Sequence, residues 1–294
     1  MVGDQKQSTN EVQTILDRAL INTEAFALDW HSKNIYFSTS LVEHLDAMSL
    51  KMSNIFISNF EGAYVSPLIP NNPGVIKGIV VVATEGLIYW NDESDIGNET
   101  VKVAQIDGTR VEELEGISFN NKEWDVTGNK NIRCLSYYDT NTYSGPKLFW
   151  INEIRNLIQY YNFNTKTIRS ISTLHKFDIL GSLTVHMNNI YFTEHYGHGK
   201  QSTIKKLEIK HMEKDLLRST YLRNISNDVF SLKVYDSNLQ NDANLWMNSC
   251  SNGNGGCDHI CIAMKNETRV CKCTIGYALD FDQSSCKENP SDLN

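Results

Sequence analysis

The sequence predicts an all-β protein, with a large repeat domain followed by a small disulfide-rich one. Short apolar runs bounded by Gly, Asn and Asp recur along most of the chain, and 6 of the 7 cysteines fall after residue 249. At 294 residues the chain has the length of one large domain plus a small one. Aromatic residues at 10% and only 5 prolines suit sheet rather than disorder.

The clearest unit runs from Gly78 to Gly108. Ile79 to Val82 is an apolar, β-branched run that ends at a Glu85-Gly86 turn. Leu87 to Trp90 follows and closes on Asn91-Asp92; Val101, Val103 and Gln105 then lead to Asp107-Gly108. Gly, Asn and Asp supply the turn conformations and the apolar runs supply the paired strands, so the unit reads as an antiparallel meander. Ala25 to Phe37 aligns without gaps onto Gly78 to Trp90. Ser182 to Val185 leads at the same interval to Asn189 to Glu194, and Cys134 to Tyr137 leads to Lys147 to Asn152 after a longer turn. Ser231 to Tyr235 reads as a last inner strand with no aromatic pair behind it. A third-strand element recurs at Ile55 to Gly62, Val101 to Gly108, Ile158 to Thr165 and Ile204 to Lys210. Repeats of ~40–50 residues, each a four-stranded antiparallel sheet, are blades of a β-propeller.

Each second strand carries an aromatic pair: Tyr36-Phe37, Tyr89-Trp90, Phe149-Trp150 and Tyr191-Phe192. With the two residues that follow, these segments resemble the YWTD repeat of the low-density lipoprotein receptor family, although none matches it letter for letter. The aromatic side chains are expected to pack between blades, because aromatics bury a large area and set the wedge between sheets. The resemblance implies a six-bladed propeller, of which this chain holds about four blades plus the last inner strand. Thr14-Ile15-Leu16 and Leu20-Ile21-Asn22 read as an outer strand of a preceding blade, and the chain is expected to be a fragment of a longer receptor. The expected division is 1–24 for that strand and tail, 25–240 for the blades, 241–288 for an EGF-like domain and 289–294 for a tail. Residues 40–54 interrupt the repeat and are expected to form a short helix or irregular loop; residues 118–131 are expected to form a surface loop.

The late cysteines, Cys250, Cys257, Cys261, Cys271, Cys273 and Cys286, follow the pattern C-x6-C-x3-C-x9-C-x1-C-x12-C. So short a segment cannot build an adequate apolar core and must be stapled. Spacing alone leaves fifteen connectivities open. Asn254-Gly255-Gly256-Cys257-Asp258-His259-Ile260-Cys261, with Gly276-Tyr277, Leu279, Asp282 and Ser285-Cys286, resembles the EGF-like module of low-density lipoprotein receptors. That resemblance implies the pairs Cys250–Cys261, Cys257–Cys271 and Cys273–Cys286, and makes His259 a structural residue. Propeller followed by this module is itself the order found in the family. Zinc is disfavoured because paired C-x2-C ligands are lacking. Calcium is not expected, because Asn244 to Ser249 lacks the acidic and amide pattern of a hard-oxygen cage. No cofactor is expected.

A net charge of −8 argues against a nucleic-acid partner. No run of ~18 apolar residues is long enough to insert in a membrane, so anchoring is assigned to a full-length parent. The first 24 residues lack the apolar core of a secretory signal. Asn98, Asn224 and Asn266 head glycosylation sequons, expected to be exposed if used. Cys134 is expected to be a buried, inert thiol. No nucleophile elbow, zinc-protease motif or phosphate loop is present, so no catalytic residue is predicted and the chain is read as a non-enzyme. A calcium-dependent propeller hydrolase is disfavoured because Asp29 is the one acid at its repeat position; the other copies carry Val82, Ser136, Thr184 and Lys233.

The family resemblance implies a glycoprotein on the extracellular side of a plasma-membrane or endosomal receptor, or a secreted one. Its partners would be extracellular protein ligands or the receptor's own cargo-binding repeats, in endocytosis and pH-dependent cargo release. The alternative is a protein-binding propeller of Wnt-coreceptor or nidogen type. His195 and His198 are singled out as pH-sensing residues in a turn after the fourth aromatic pair, since histidine titrates in this range.

Overall fold

The structure, a computed structural model, describes residues 15, 23–45, 48–95, 98–115, 132–139, 145–153, 155–173, 176–196, 201–209, 217–225, 231–234 and 248–289. Four sheets of four consecutive strands each are laid down in chain order. The first comprises β1 (Thr23–Asp29), β2 (Asn34–Leu45), β3 (Met48–Asn59) and β4 (Val65–Pro73). The second comprises β5 (Ile79–Val82), β6 (Leu87–Asp95), β7 (Asn98–Gln105) and β8 (Glu112–Glu113). In the third are β9 (Ile132–Tyr138), β10 (Lys147–Asn152), β11 (Leu157–Asn162) and β12 (Thr167–Ser170). The fourth holds β13 (Ile179–His186), β14 (Asn189–Tyr196), β15 (Gln201–Glu208) and β16 (Thr220–Ile225). Each is an antiparallel meander, and the four are the blades of a propeller. A disulfide-rich region follows, with two short hairpins, β17 (Ile260–Ala263) with β18 (Arg269–Lys272) and β19 (Tyr277–Leu279) with β20 (Cys286–Glu288).

The aromatic pair shows how the blades are joined. Successive side chains of a strand point to opposite faces, so the two aromatics of a pair serve different interfaces. Tyr36 of blade 1 and Trp90 of blade 2 share one buried core. Tyr89 of blade 2 meets Trp150 of blade 3 in the next, and Phe149 of blade 3 meets Phe192 of blade 4 in a third. Blades 1 to 3 thus send the first aromatic forward, and blades 2 to 4 send the second backward. Two members remain outside these cores: Phe37 is buried and stacks on Phe56 at 5.7 Å, while Tyr191 is half-buried. Among the described residues no buried core joins blade 4 to blade 1.

Polar side chains fix where the inner strands of blades 1, 2 and 4 enter. The residue after the aromatic pair accepts a hydrogen bond from that strand: Ser38 Oγ from Ala25 N–H (3.1 Å) and Thr193 Oγ1 from Ser182 N–H (2.9 Å). Asn91 Oδ1 accepts two, from Lys77 N–H (2.8 Å) and Gly78 N–H (2.9 Å). Blade 3 has the buried Ile151 at this position and no such latch.

Two expectations are corrected. Over 40–45 and 48–54 the expected helix or irregular loop is strand: β2 and β3 continue as one ladder from Asn34↔Asn59 to Leu45↔Met48. An unbroken register pairs backbone groups that a loop would leave to water, which favours the longer hairpin. The expected last inner strand is not a strand over residues 231–234. Its visible attachment is a hydrogen bond from Leu232 N–H to Ser182 Oγ (2.9 Å), in place of a ladder. Residues 118–131 and 16–22 lie outside the described residues.

Candidate functional site: a docked module and a central channel

The three disulfides are Cys250–Cys261, Cys257–Cys271 and Cys273–Cys286, the same pairs that the family resemblance implies. Gly255 is required between them: its φ is +59°, and a Cβ there would lie 2.7 Å from Ser249 O and 2.9 Å from Cys261 Sγ. Cys273 and Cys286 approach His259, but both sulfurs are committed to each other and offer no thiolate to a metal.

The module sits on the turns of blades 1 and 2. Ile260 and Ile262 are fully buried in the core that holds Tyr36 and Trp90. Around them lies a frame of hydrogen bonds. Asn34 Nδ2 donates to Cys261 O (2.7 Å), Ala263 N–H donates to Ser32 Oγ (3.1 Å), and Asn248 Nδ2 donates to His31 O. Val65, at the start of β4, is clamped by Thr274: Val65 N–H donates to Oγ1 (3.0 Å), Oγ1 donates to Val65 O (2.9 Å), and Ile275 N–H donates to the same carbonyl (2.9 Å). His259 lies flat on Tyr64, with centroids 4.3 Å apart, and its Nδ1 accepts Thr274 N–H (3.1 Å). An accepting Nδ1 requires the neutral ring. Burial holds the His259 pKa below its ordinary value, with Asp258 opposing. At the rim Lys265 pairs with Glu85 at 2.7 Å.

Beneath the module, Asp29 anchors the β1–β2 turn by accepting His31 N–H (3.0 Å) and Ser32 N–H (3.2 Å). Its burial raises its pKa. The acid thus holds the turn that presents Ser32 and Asn34 to the module.

The other end of the propeller, where the inner strands begin, opens into a cavity of about 520 Å³ on the axis. It is bounded by the starts of β1, β5 and β9, by β13, and by residues 231–233. Lys77 Nζ and Arg133 Nη1 converge on opposite oxygens of Glu153, at 3.0 and 3.1 Å. Cys134 is half-buried with φ +58°, and its Sγ lies 3.7 Å from both Gly181 O and Ser182 Oγ. Lys233 reaches this cavity and also a second one of about 320 Å³, lined by Ala27, Trp30 and Val80.

The remaining singled-out residues are spread out. His195 lies on β14 rather than in a turn. Its Nδ1 is 2.9 Å from Ser202 Oγ, and its Nε2 would be 1.9 Å from a Cβ at Gly181. A glycine on the inner strand is what admits the ring. His198 lies outside the described residues, so the structure does not bring the pair together. Asn224 is exposed on β16, Asn266 is exposed between β17 and β18, and Asn98 begins β7. Asn266 Oδ1 accepts hydrogen bonds from the amide and hydroxyl of Thr268. Asn34, Ser32 and Thr274 were not foreseen as docking residues, because a turn Asn or Ser carries no sign of what lies across from it.

Residues 250–286 match the family described as Coagulation Factor Xa inhibitory site. The vitellogenin receptor of Solenopsis invicta is 25% identical over 285 residues, which cover 96% of this chain. The chain is a homologue of that receptor, of the low-density lipoprotein receptor family. It spans 13% of the receptor's length. A chain from a crystal structure of a nidogen/laminin complex aligns at TM-score 0.45 and 13% identity, covering 71% of this chain and 83% of that one. The three disulfides and the receptor relative fit an extracellular region. Among the described residues no helix is long and apolar enough to cross a membrane.

Proposed function

We propose that the chain is a non-catalytic, ligand-binding region of an endocytic receptor, acting in capture or acid-dependent release of protein cargo. The observation that supports this most is the docked module. Ile260, Ile262 and the Asn34, Ser32 and Val65 contacts fasten it to one end of the propeller, while the opposite end stays open. A rigid scaffold with one covered and one open face suits binding, since loops and clefts on fixed elements carry recognition. The partners on this reading are extracellular proteins or the parent receptor's own cysteine-rich cargo-binding repeats, and the parent would be membrane-anchored. The glycan acceptors on this reading are Asn98, Asn224 and Asn266.

Surface plasmon resonance of the full chain against a recombinant cysteine-rich repeat of the parent, at neutral pH and at about pH 5.5, tests the reading. Binding that appears or strengthens in acid supports it. No binding at either pH removes the cargo-release role. His195→Gln then asks whether His195 contributes: an unchanged pH response assigns the switch elsewhere.

A further inference from the structure

We propose that Cys257–Cys271 is a thiol-exchange site: a small thiol attacks Cys257, and Cys271 leaves as a thiolate held by Arg269. The proposal stands on the module's own residues and does not depend on the receptor reading.

Arg269, at the start of β18, turns its guanidinium onto this disulfide. Its Nη1 donates to Cys271 Sγ at 2.8 Å and lies 3.6 Å from Cys257 Sγ. Its Nη2 donates to Ser284 Oγ at 3.1 Å, which fixes the fork in place. Ser284 is held in turn, because its N–H and that of Ser285 both donate to Asp282 Oδ1, at 2.9 and 2.8 Å. Among the described residues no carboxylate forms an ion pair with Arg269. A disulfide sulfur is a weak acceptor, so the fixed charge gains little from the oxidised bond. A thiolate carries a full negative charge, and a charge-assisted hydrogen bond to it is much stronger. The site is therefore better matched to the product of exchange than to the bond itself.

The geometry also gives the exchange a direction. Cys257 lies between the exposed Gly256 and Asp258, whereas Cys271 lies in β18 between the half-buried Val270 and Lys272. Apart from its chain neighbours, a Cβ at Gly256 would meet only Arg269 Nη2, at 3.5 Å, so this side of Cys257 is open. Cys271 is the sulfur nearer the guanidinium. The incoming thiolate forms a new S–S bond to Cys257 Sγ. The Cys257–Cys271 bond breaks, and its electron pair leaves on Cys271 Sγ. No net oxidation occurs, and the product is a mixed disulfide at Cys257 beside a Cys271 thiolate. A better stabilised leaving thiolate departs faster.

The other two disulfides lack this cation. Among the described residues no Lys or Arg donates to the sulfurs of Cys250, Cys261, Cys273 or Cys286. His259 approaches Cys273 and Cys286, but its Nδ1 accepts Thr274 N–H and the ring is neutral. Asp258 Oδ2, which accepts the Cys286 N–H at 2.8 Å, brings a negative charge to that residue instead. Cys286 is the most exposed of the six cysteines. Exposure alone would thus open Cys273–Cys286 first, whereas the guanidinium predicts Cys257–Cys271.

The test exposes the folded full chain to limiting 2-mercaptoethanol at neutral pH. An acid quench, labelling with N-ethylmaleimide and peptide mass spectrometry follow. The early product is expected to carry mercaptoethanol on Cys257 and maleimide on Cys271. Opening of Cys273–Cys286 at an equal or faster rate overturns the proposal, since exposure then decides. Mercaptoethanol on Cys271 with maleimide on Cys257 overturns the assigned direction. Arg269→Gln should slow exchange at this disulfide about tenfold and leave the other two rates unchanged, because it removes a charge-assisted hydrogen bond partly formed in the transition state. Arg269→Lys keeps a cation and should restore most of the rate. Equal exchange in the unaltered chain and in Arg269→Gln overturns the role of the guanidinium. The order of opening in the unaltered chain needs no variant, so it decides even where Arg269→Gln misfolds.

Discussion

Blade 2, from Ile79 to Glu113, and the module from Cys250 to Cys286 are segments of comparable length held together in opposite ways. Blade 2 keeps Tyr89 and Trp90 buried only because blades 3 and 1 lie on either side of it. The module has its own covalent frame of three disulfides and a small interior around Ala263. A blade is therefore stable through its neighbours, and damage to one interface should spread. The module is stable through its cross-links, and damage there should stay local. Docking joins the two regimes, since Ile260 and Ile262 belong to the core between blades 1 and 2.

The sharpest way to break the comparison is Trp90→Ala. It should cost about 3–5 kcal/mol of propeller stability in urea unfolding, through lost burial and the cavity left behind. Because the same core holds Ile260, the module should undock with it, seen as faster amide exchange at Cys261 and Ala263. Exchange confined to blade 2 would show that blades are independent units. Next in size is removal of Cys273–Cys286 by paired Ala substitution, expected to cost the module about 2–4 kcal/mol. Amide exchange in blades 3 and 4 should not change. Asn34→Ala is intermediate: it leaves Cys261 O without its donor and should weaken docking by about 1–2 kcal/mol. Limited proteolysis near residue 248 would report it.

A pH titration separates docking from folding of the blades. His259 is held below its ordinary value of 6.5, so the neutral ring is favoured in the docked state. A free module would take up the proton first. Docking stability from this residue is therefore fully present above about pH 6.5 and declines as pH falls from there toward the docked-state pKa. Protection of the Thr274 amide should fall across that window, and His259→Phe should flatten the response. Glu85→Gln, at the exposed pair with Lys265, should have the smallest effect, under about 1 kcal/mol.

The repeat was legible in the sequence because turn residues and aromatic pairs act locally. Asn91-Asp92 and Glu85-Gly86 bracket a strand whatever lies beside it. The module was legible for a similar reason: six cysteines and the Asn254-Gly255-Gly256 turn form a short-range pattern. What the sequence left hidden depends on contacts across more than 200 residues, such as Asn34 with Cys261 and Thr274 with Val65. Residues 40–54 misled for a different reason. Their polar composition suggests a loop, whereas the ladder from β2 to β3 is satisfied by backbone groups alone and tolerates that composition. Lys233 stood in the repeat as the copy lacking an aromatic pair, but only the position of residues 231–234 across the axis reveals its two cavities.

The alternation of the aromatic pair also gives assembly a direction in time. When blade 1 has been synthesised, Tyr36 already presents half of the next interface, before Trp90 exists to complete it. Blade 2 then folds against that prepared surface and presents Tyr89 in turn, and blade 3 follows with Phe149. A ribosome delivers the blades in this same order, so the first half of each interface is made before the second. Tyr191, half-buried on β14, holds the first place of the pair on blade 4 and lies outside the three buried cores.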